Sequence, residues 1–206
     1  MIVKVCGITN AEDAAAAIDD GANTIGFNFY ARSPRYVAPE EAAQIPTGKA
    51  RRVGVFVNES AGRIAEIARI AKLDTAQLHG DGIADFPAHI AIWKARQVTA
   101  AFELPPDAAA NAEAVLLDGP SGELYGGSGR TFDWALARAA AIRIIIAGGL
   151  DASNVAQAIA IARPWGVDAC SRLEAAPGKK DHAKMQAFIQ AALQAASQPA
   201  PEAVAL

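Results

Sequence analysis

Arg52-Val53-Gly54-Val55-Phe56-Val57 is the run whose reading decides the fold. From Val53 to Val57 its positions are apolar without alternation, so neither face is marked for water, and Ile144-Ile145-Ile146 reads the same way. Strands of this kind are covered on both sides, as in parallel sheets flanked by helices. Working outward, further strand candidates fall at residues 2–6, 24–29, 75–79, 89–95, 114–118 and 167–171, beside 52–57 and 143–147. Ala-rich helical stretches lie between them. Asn10 is placed to cap a helix over 11–18, with Asp13 at its third position and Gly21 past its end. Ser60 is placed to cap 61–71, where Ile recurs at 64, 67 and 70. Asp151 or Ser153 stands ready to cap a helix that stops before Pro164, and a last helix runs from about 181 to 195.

Eight strands alternating with helices fit either a closed barrel or an open doubly wound sheet. The open sheet lacks its Gly-rich dinucleotide fingerprint, because Cys6-Gly7-Ile8-Thr9-Asn10 follows the first strand. A closed barrel needs at least about 200 residues, and this chain has 206. Its crossovers at 81–87 and 99–111 are cramped, the second by Pro105-Pro106. The expectation is an α/β fold: a single eight-stranded parallel (β/α)8 TIM barrel of minimal length, with helices 4 and 5 short or degenerate. It spans 1–197, and 198–206 is read as a flexible C-terminal tail.

Composition excludes several function classes. Lys and Arg number 19 against 22 Asp and Glu, a net charge of -3 that leaves no basic footprint for nucleic acid. No apolar run approaches the ~18 residues of a membrane span. The start, Met1-Ile2-Val3-Lys4-Val5-Cys6, reads as a strand with no room for a secretion signal. Two cysteines make no disulfide framework, so a cytoplasmic location is expected. A monomer is expected, with a homodimer as the alternative.

In such a barrel the chemistry sits where the strands end. Those ends carry Cys6, Phe29, Asn58, Gln77 with His79, Asp118, Gly148-Gly149 and Ser171. A thiol at position 6 acts as a base once its pKa falls from ~8.5. Asp118, at the end of an apolar strand, acts as an acid if burial raises its pKa. Gly148-Gly149 and the stretch Ser171-Arg172 follow strands seven and eight, where barrels hold phosphate on backbone N–H groups. Cys170 reads as core rather than catalytic. Arg35, in Arg32-Ser33-Pro34-Arg35-Tyr36, offers a fork matched to a carboxylate. Neither His89 nor His182 has a partner in the pattern, and no metal is expected, since the three histidines have no ligand spacing. Gly126-Gly127-Ser128-Gly129 lacks the Walker pattern and reads as a loop over the mouth.

These segments, in order, resemble the phosphoribosylanthranilate isomerases. The resemblance is carried by Lys4-Val5-Cys6-Gly7-Ile8-Thr9, Gly26-Phe27-Asn28-Phe29-Tyr30 through Ser33-Pro34-Arg35-Tyr36-Val37, and Val53 to Asn58. Gln77-Leu78-His79-Gly80-Asp81, Leu117-Asp118, Ala147-Gly148-Gly149-Leu150 and Gly166-Val167-Asp168 through Pro177-Gly178-Lys179-Lys180-Asp181 continue it to about residue 190. It implies a cofactor-free Amadori rearrangement of a phosphosugar-anthranilate substrate in tryptophan biosynthesis. Asp118 matches the general acid, Cys6 the general base and Arg35 the group on the anthranilate carboxylate. Gly148, Gly149, Ser171 and Arg172 match the phosphate loops; Gln77 is expected to contact the substrate, and His79 is either a substrate contact or a satisfied strand-end histidine. Two departures stand out: Arg172, where the family often has Gly, and Gly119, where it often has Thr. Arg172 would be strained if that position needs a positive φ.

Two other readings compete. The related barrel isomerase of histidine biosynthesis performs the same type of rearrangement, but resembles two duplicated halves and carries Asp on strand one, which Cys6 speaks against. A non-catalytic phosphosugar-binding barrel would have no use for both Cys6 and Asp118.

Overall fold

Eight parallel strands pair in chain order and close on themselves in the computed structural model, which describes residues 1–80, 90–99, 104, 107–119, 131–138 and 142–198. They are β1 (Ile2–Cys6), β2 (Thr24–Asn28), β3 (Arg51–Val57), β4 (Thr75–His79), β5 (Ala91–Gln97), β6 (Ala114–Asp118), β7 (Ile144–Ile146) and β8 (Gly166–Ala169). Closure comes from β1 against β8, in the register Ile2↔Gly166 and Lys4↔Asp168. The helices described are α1 (Ala11–Asp19), α2 (Pro39–Gln44), α3 (Ala61–Ile70), α4 (Ala135–Arg138), α5 (Val155–Ala162) and α6 (His182–Ser197).

Strand alternation sorts the apolar residues into two cores. Val53, Trp93, Ala95, Ala114, Leu116, Ile145 and Ala147 face inward and fill the barrel. Val5, Ile25, Phe27, Phe56, Val115, Leu117, Ile144 and Ile146 face outward and meet the helices. This double covering is why the Val53–Val57 run shows no polar alternation. The helices supply matching stripes: Ile64 and Ile67 of α3, and Met185, Phe188, Ile189 and Ala192 of α6. Truncating one such buried Ile or Phe to Ala costs about 2–5 kcal/mol.

A polar plug closes the end of the barrel where the strands begin. Arg51 donates to both oxygens of Glu113 at 2.6 and 3.3 Å, and the Trp93 indole N–H donates to the same carboxylate at 2.9 Å. Trp93 meets Trp165 edge-on, and Arg143 lies over the Trp165 ring.

The caps of α1, α3 and α6 agree with the sequence: the side chains of Asn10, Ser60 and Asp181 accept from the N–H groups of Asp13, Arg63 and Lys184. The cap of α5 does not. Asn154 holds that position, while Asp151 accepts from the backbone and hydroxyl of Ser153 and builds the preceding turn. Strand eight also stops earlier than expected, at Ala169. Cys170 leaves the extended region (φ -137°, ψ -87°), and Ser171–Leu173 form a 3-10 turn. The stretch beyond, expected to be a plain loop, contains a hairpin of β9 (Glu174–Ala176) and β10 (Lys179–Lys180).

The expectations for helices 4 and 5 fall largely on 81–89, 100–103 and 105–106, outside the described residues. The glycine loop at 126–129, His89 and most of the tail lie outside them too. Among the described residues no helix is long and apolar enough to cross a membrane.

Candidate active site

The inner face of β1 carries Lys4 and Cys6, both buried. Gly26 of β2 makes room for them. A β-carbon on Gly26 would stand 2.9 Å from the Cys6 sulfur and 3.0 Å from Cε of Lys4. Across the closing seam, Asp168 of β8 accepts from Lys4 Nζ at 2.8 Å, with the lysine side chain fully buried. Two residues further along, the register sets Cys6 beside Cys170, the first residue past β8.

Asp118 ends β6 facing the same interior and is 9% exposed. Its position depends on Gly148, which follows β7 at φ +85° and is succeeded by Gly149 at φ +64°. A side chain at 148 would strike the Gly119 backbone and come within 2.8 Å of the Asp118 carboxylate. On β4, Gln77 Nε2 lies 2.9 Å from His79 Nε2. Gln77 Oε1 is buried without a partner among the described residues, an acceptor left for a bound hydroxyl.

A second tier lies above β8. Arg35 grips Glu174 with two hydrogen bonds of 2.8 and 2.7 Å. Lys180 Nζ reaches Glu174 Oε1 at 3.1 Å and the Cys170 sulfur at 3.9 Å. The hairpin is anchored to α1, since Lys180 N donates to Asp13 at 2.9 Å.

These contacts decide the protonation states. The hydrogen bond from Cys170 and the ammonium of Lys4 outweigh burial and hold the Cys6 thiol well below its ordinary pKa. Cys170 is displaced the opposite way, by its bond to the Cys6 sulfur and by burial. Burial, joined by the Cys6 charge, lifts Asp118 to about 6, against the Gly119 N–H and Lys4. Burial lifts Asp168 to about 7 despite Lys4. His79 is driven down to about 4 by burial and by Lys4, and is neutral at pH 7. Burial pushes Glu174 up, but Arg35 and Lys180 prevail and keep it low.

Lys4, Lys180 and Arg35 are the cations among these groups, and Asp118 is bound directly by none of them; a buried acid without a cationic partner has its pKa raised. The site thus holds a thiol displaced towards its ionised form and an acid displaced towards its neutral form.

The loops after β7 and β8 adjoin each other. Asn154 Nδ2 donates to Gly149 O at 2.8 Å, and Arg172 bridges to Asp151 at 2.9 Å. Arg172 is not among the residues with positive φ, so its backbone carries none of the strain feared at a position often Gly. Among the described residues no group of three or more His, Cys, Asp or Glu is placed to hold a metal.

Every site residue singled out in the sequence that can be located lies at this end of the barrel. Four others stand in the sequence only among the residues that carry the resemblance, with no role of their own: Lys4, Asp168, Glu174 and Lys180. Lone charges within apolar strands, as at Lys4 and Asp168, are a readable signal of inward pairing. Cys170, read as core, is half-exposed and touches Cys6. His182, left unpartnered, bonds Asp13 through Nε2 at 2.8 Å.

A thiol displaced towards its ionised form and a carboxyl displaced towards its neutral form, at the mouth of a β/α barrel, are the equipment of an enzyme that moves protons on a bound small molecule. Residues 3–191 match the family model described as N-(5'phosphoribosyl)anthranilate (PRA) isomerase, and the chain belongs to that family. A relative named N-(5'-phosphoribosyl)anthranilate isomerase from Solibacter usitatus is 63% identical over 193 residues, covering 93% of this chain and 97% of the relative. A structure of monomers generated from the dimeric Thermotoga maritima phosphoribosylanthranilate isomerase superposes with a TM-score of 0.79 at 38% identity, covering 94% of this chain and all of that one. A phosphoribosyl anthranilate isomerase in complex with reduced 1-(o-carboxyphenylamino)-1-deoxyribulose 5-phosphate gives 0.81 at 37% identity, with the same coverage.

Proposed function

We infer that this chain converts N-(5-phosphoribosyl)anthranilate to 1-(2-carboxyphenylamino)-1-deoxyribulose 5-phosphate, the Amadori rearrangement of tryptophan biosynthesis. The observation that carries the reading is the opposite displacement of Cys6 and Asp118, two side chains that feel each other's charge inside one mouth.

Asp118 gives its proton to the ribose ring oxygen. The C1–O bond breaks, and the anthranilate nitrogen lone pair forms the C1=N iminium. The cationic nitrogen acidifies C2, so the Cys6 thiolate takes that proton and the electron pair becomes the C1=C2 bond of the enolamine. Protonation at C1 and loss of the C2 hydroxyl proton then give the ketose. Acid and base assistance of this kind is worth about 10²–10⁴-fold per group.

The remaining residues hold the substrate. Arg35 takes the anthranilate carboxylate, releasing one or both of its bonds to Glu174. Gln77 and His79 face the sugar. Gly148, Gly149, Ser171 and Arg172 form the phosphate cradle, chiefly through backbone N–H groups. The working unit is the single barrel of residues 1–197, and no cofactor takes part. It acts as a monomer in the cytoplasm, where the two thiols stay reduced.

The test is turnover of freshly generated phosphoribosylanthranilate, followed by loss of its fluorescence. Conversion by the folded protein supports the assignment. Binding of the phosphosugar without turnover would replace it with a binding barrel, and turnover of the histidine-pathway aminoaldose alone with the related isomerase.

A further inference from the structure

Among the nucleophilic groups at the mouth, one has no part in the mechanism above. Cys170 occupies the first position beyond β8, and the register Lys4↔Asp168, carried two residues along each strand, sets it beside Cys6 at the mouth. The two thiols thus stand side by side on the inner face, and each shifts the other's titration. A β-carbon on Gly7 would come within 2.9 Å of the Cys170 sulfur, so the turn after β1 lies flat over this thiol. Behind it, Lys180 Nζ stands 3.9 Å from the sulfur and 3.3 Å from the Cys170 carbonyl oxygen, with its side chain fully buried. The Cys170 thiol also lies 4.0 Å from Glu174 Oε1, to which it can donate when the Cys6 sulfur is protonated.

We propose that Cys170 is a positioning residue for the base: its S–H donates to the Cys6 sulfur, aims that sulfur at the substrate, and passes on the influence of the Lys180 ammonium. This rests on the reading of Cys6 as the general base.

The direction of donation follows from the neighbours. Cys6 has Lys4 beside it, with Asp118 and Asp168 as the acids in its field. Cys170 has Glu174 next to it, and Lys180 and Arg35, which also face it, are partly neutralised by their shorter bonds to that carboxylate. Of two thiols in contact only one ionises readily, because the second charge would sit against the first. The field of Lys4 selects Cys6, and Cys170 keeps its proton and supplies it as a donor. A donor to an ionised acceptor forms one of the stronger hydrogen bonds in a protein.

The experiment uses Cys170→Ala, which removes the donor, and Cys170→Ser, which keeps a shorter one. The chain has only two cysteines. In both variants the pH dependence of iodoacetamide alkylation therefore reports Cys6 alone. In parallel, kcat/KM is measured against pH, and folding is checked by circular dichroism and thermal melting. In Cys170→Ala the alkylation midpoint should rise by about one unit or more, the size of a charge-assisted hydrogen bond. The acidic limb of kcat/KM should move with it, narrowing the bell and lowering its maximum. Cys170→Ser should restore both in large part. If neither midpoint nor limb moves in folded Cys170→Ala, or if Ser and Ala behave alike, the positioning role is overturned while the base assignment stands. If Cys6→Ser retains wild-type turnover, the base assignment itself fails and the proposal fails with it.

Discussion

Lys4 Nζ lies 2.8 Å from Oδ2 of Asp168 inside the barrel, and the lysine side chain has no exposed surface. Cys6 follows Lys4 by two residues and faces the same way, so one cation serves both the Asp168 carboxylate and the Cys6 thiolate. The pair therefore does more than hold β1 to β8. It supplies the charge that makes a thiolate tolerable in a buried position.

Replacing Lys4 with Met should thus damage stability and catalysis together. Leaving Asp168 buried without its partner costs about 3–5 kcal/mol. At pH 7 kcat/KM should fall at least about tenfold, as expected for one pKa unit on Cys6. Adding Asp168→Leu should recover most of the stability, read by denaturant melts, and none of the turnover.

Asp118 is held at about 6 in the folded protein against an ordinary 3.8. Between those values the folded state binds the extra proton, so stability is greatest below the lower pKa and falls as pH rises through the upper one. The total is about 3 kcal/mol. Asp118→Asn cannot ionise. It should melt higher than wild type at pH 8 and about equally at pH 4, while losing turnover. Thermal melts across that range check the sign.

The pH profile of kcat/KM should be a bell. Its basic limb reports loss of the Asp118 proton and should lie at about 6, because this parameter follows the free enzyme. Its acidic limb reports protonation of Cys6. A flat profile from pH 6 to 9 would place the acid elsewhere.

The opposite end of the barrel supplies the control. Glu113 accepts from Arg51, Arg143 and the buried Trp93. Glu113→Ala leaves the Trp93 N–H unpaired and should cost about 1–3 kcal/mol. Its kcat/KM should match wild type within about twofold, since barrels place chemistry at the other end.

The barrel was legible in the sequence because its strands are apolar on both faces, a pattern set by local composition alone. Strand ends were legible for the same reason, and with them Cys6, Asp118 and the Gly148-Gly149 pair. What escaped notice depends on pairing across the chain. Lys4 and Asp168 lie 164 residues apart, and Arg35 and Glu174 lie 139 apart. No local pattern joins them; only closure of β1 on β8 does. Cys170 lies at the mouth rather than in the core because β8 ends at Ala169, two residues sooner than its composition suggests. The cap of α5 was misplaced because Asp151, a good cap by type, is used in the turn before it and in the bridge to Arg172.

The assignment of Cys6 as base and Asp118 as acid is tested most directly by single-turnover conversion of phosphoribosylanthranilate carrying deuterium at ribose C2. Wild type, Cys6→Ser and Asp118→Asn would be compared at equal folded concentration. The expected result is a primary isotope effect or fast release of the label in wild type, with each variant slowed by about 10² or more. Conversion by either folded variant within tenfold of wild type would contradict the assignment.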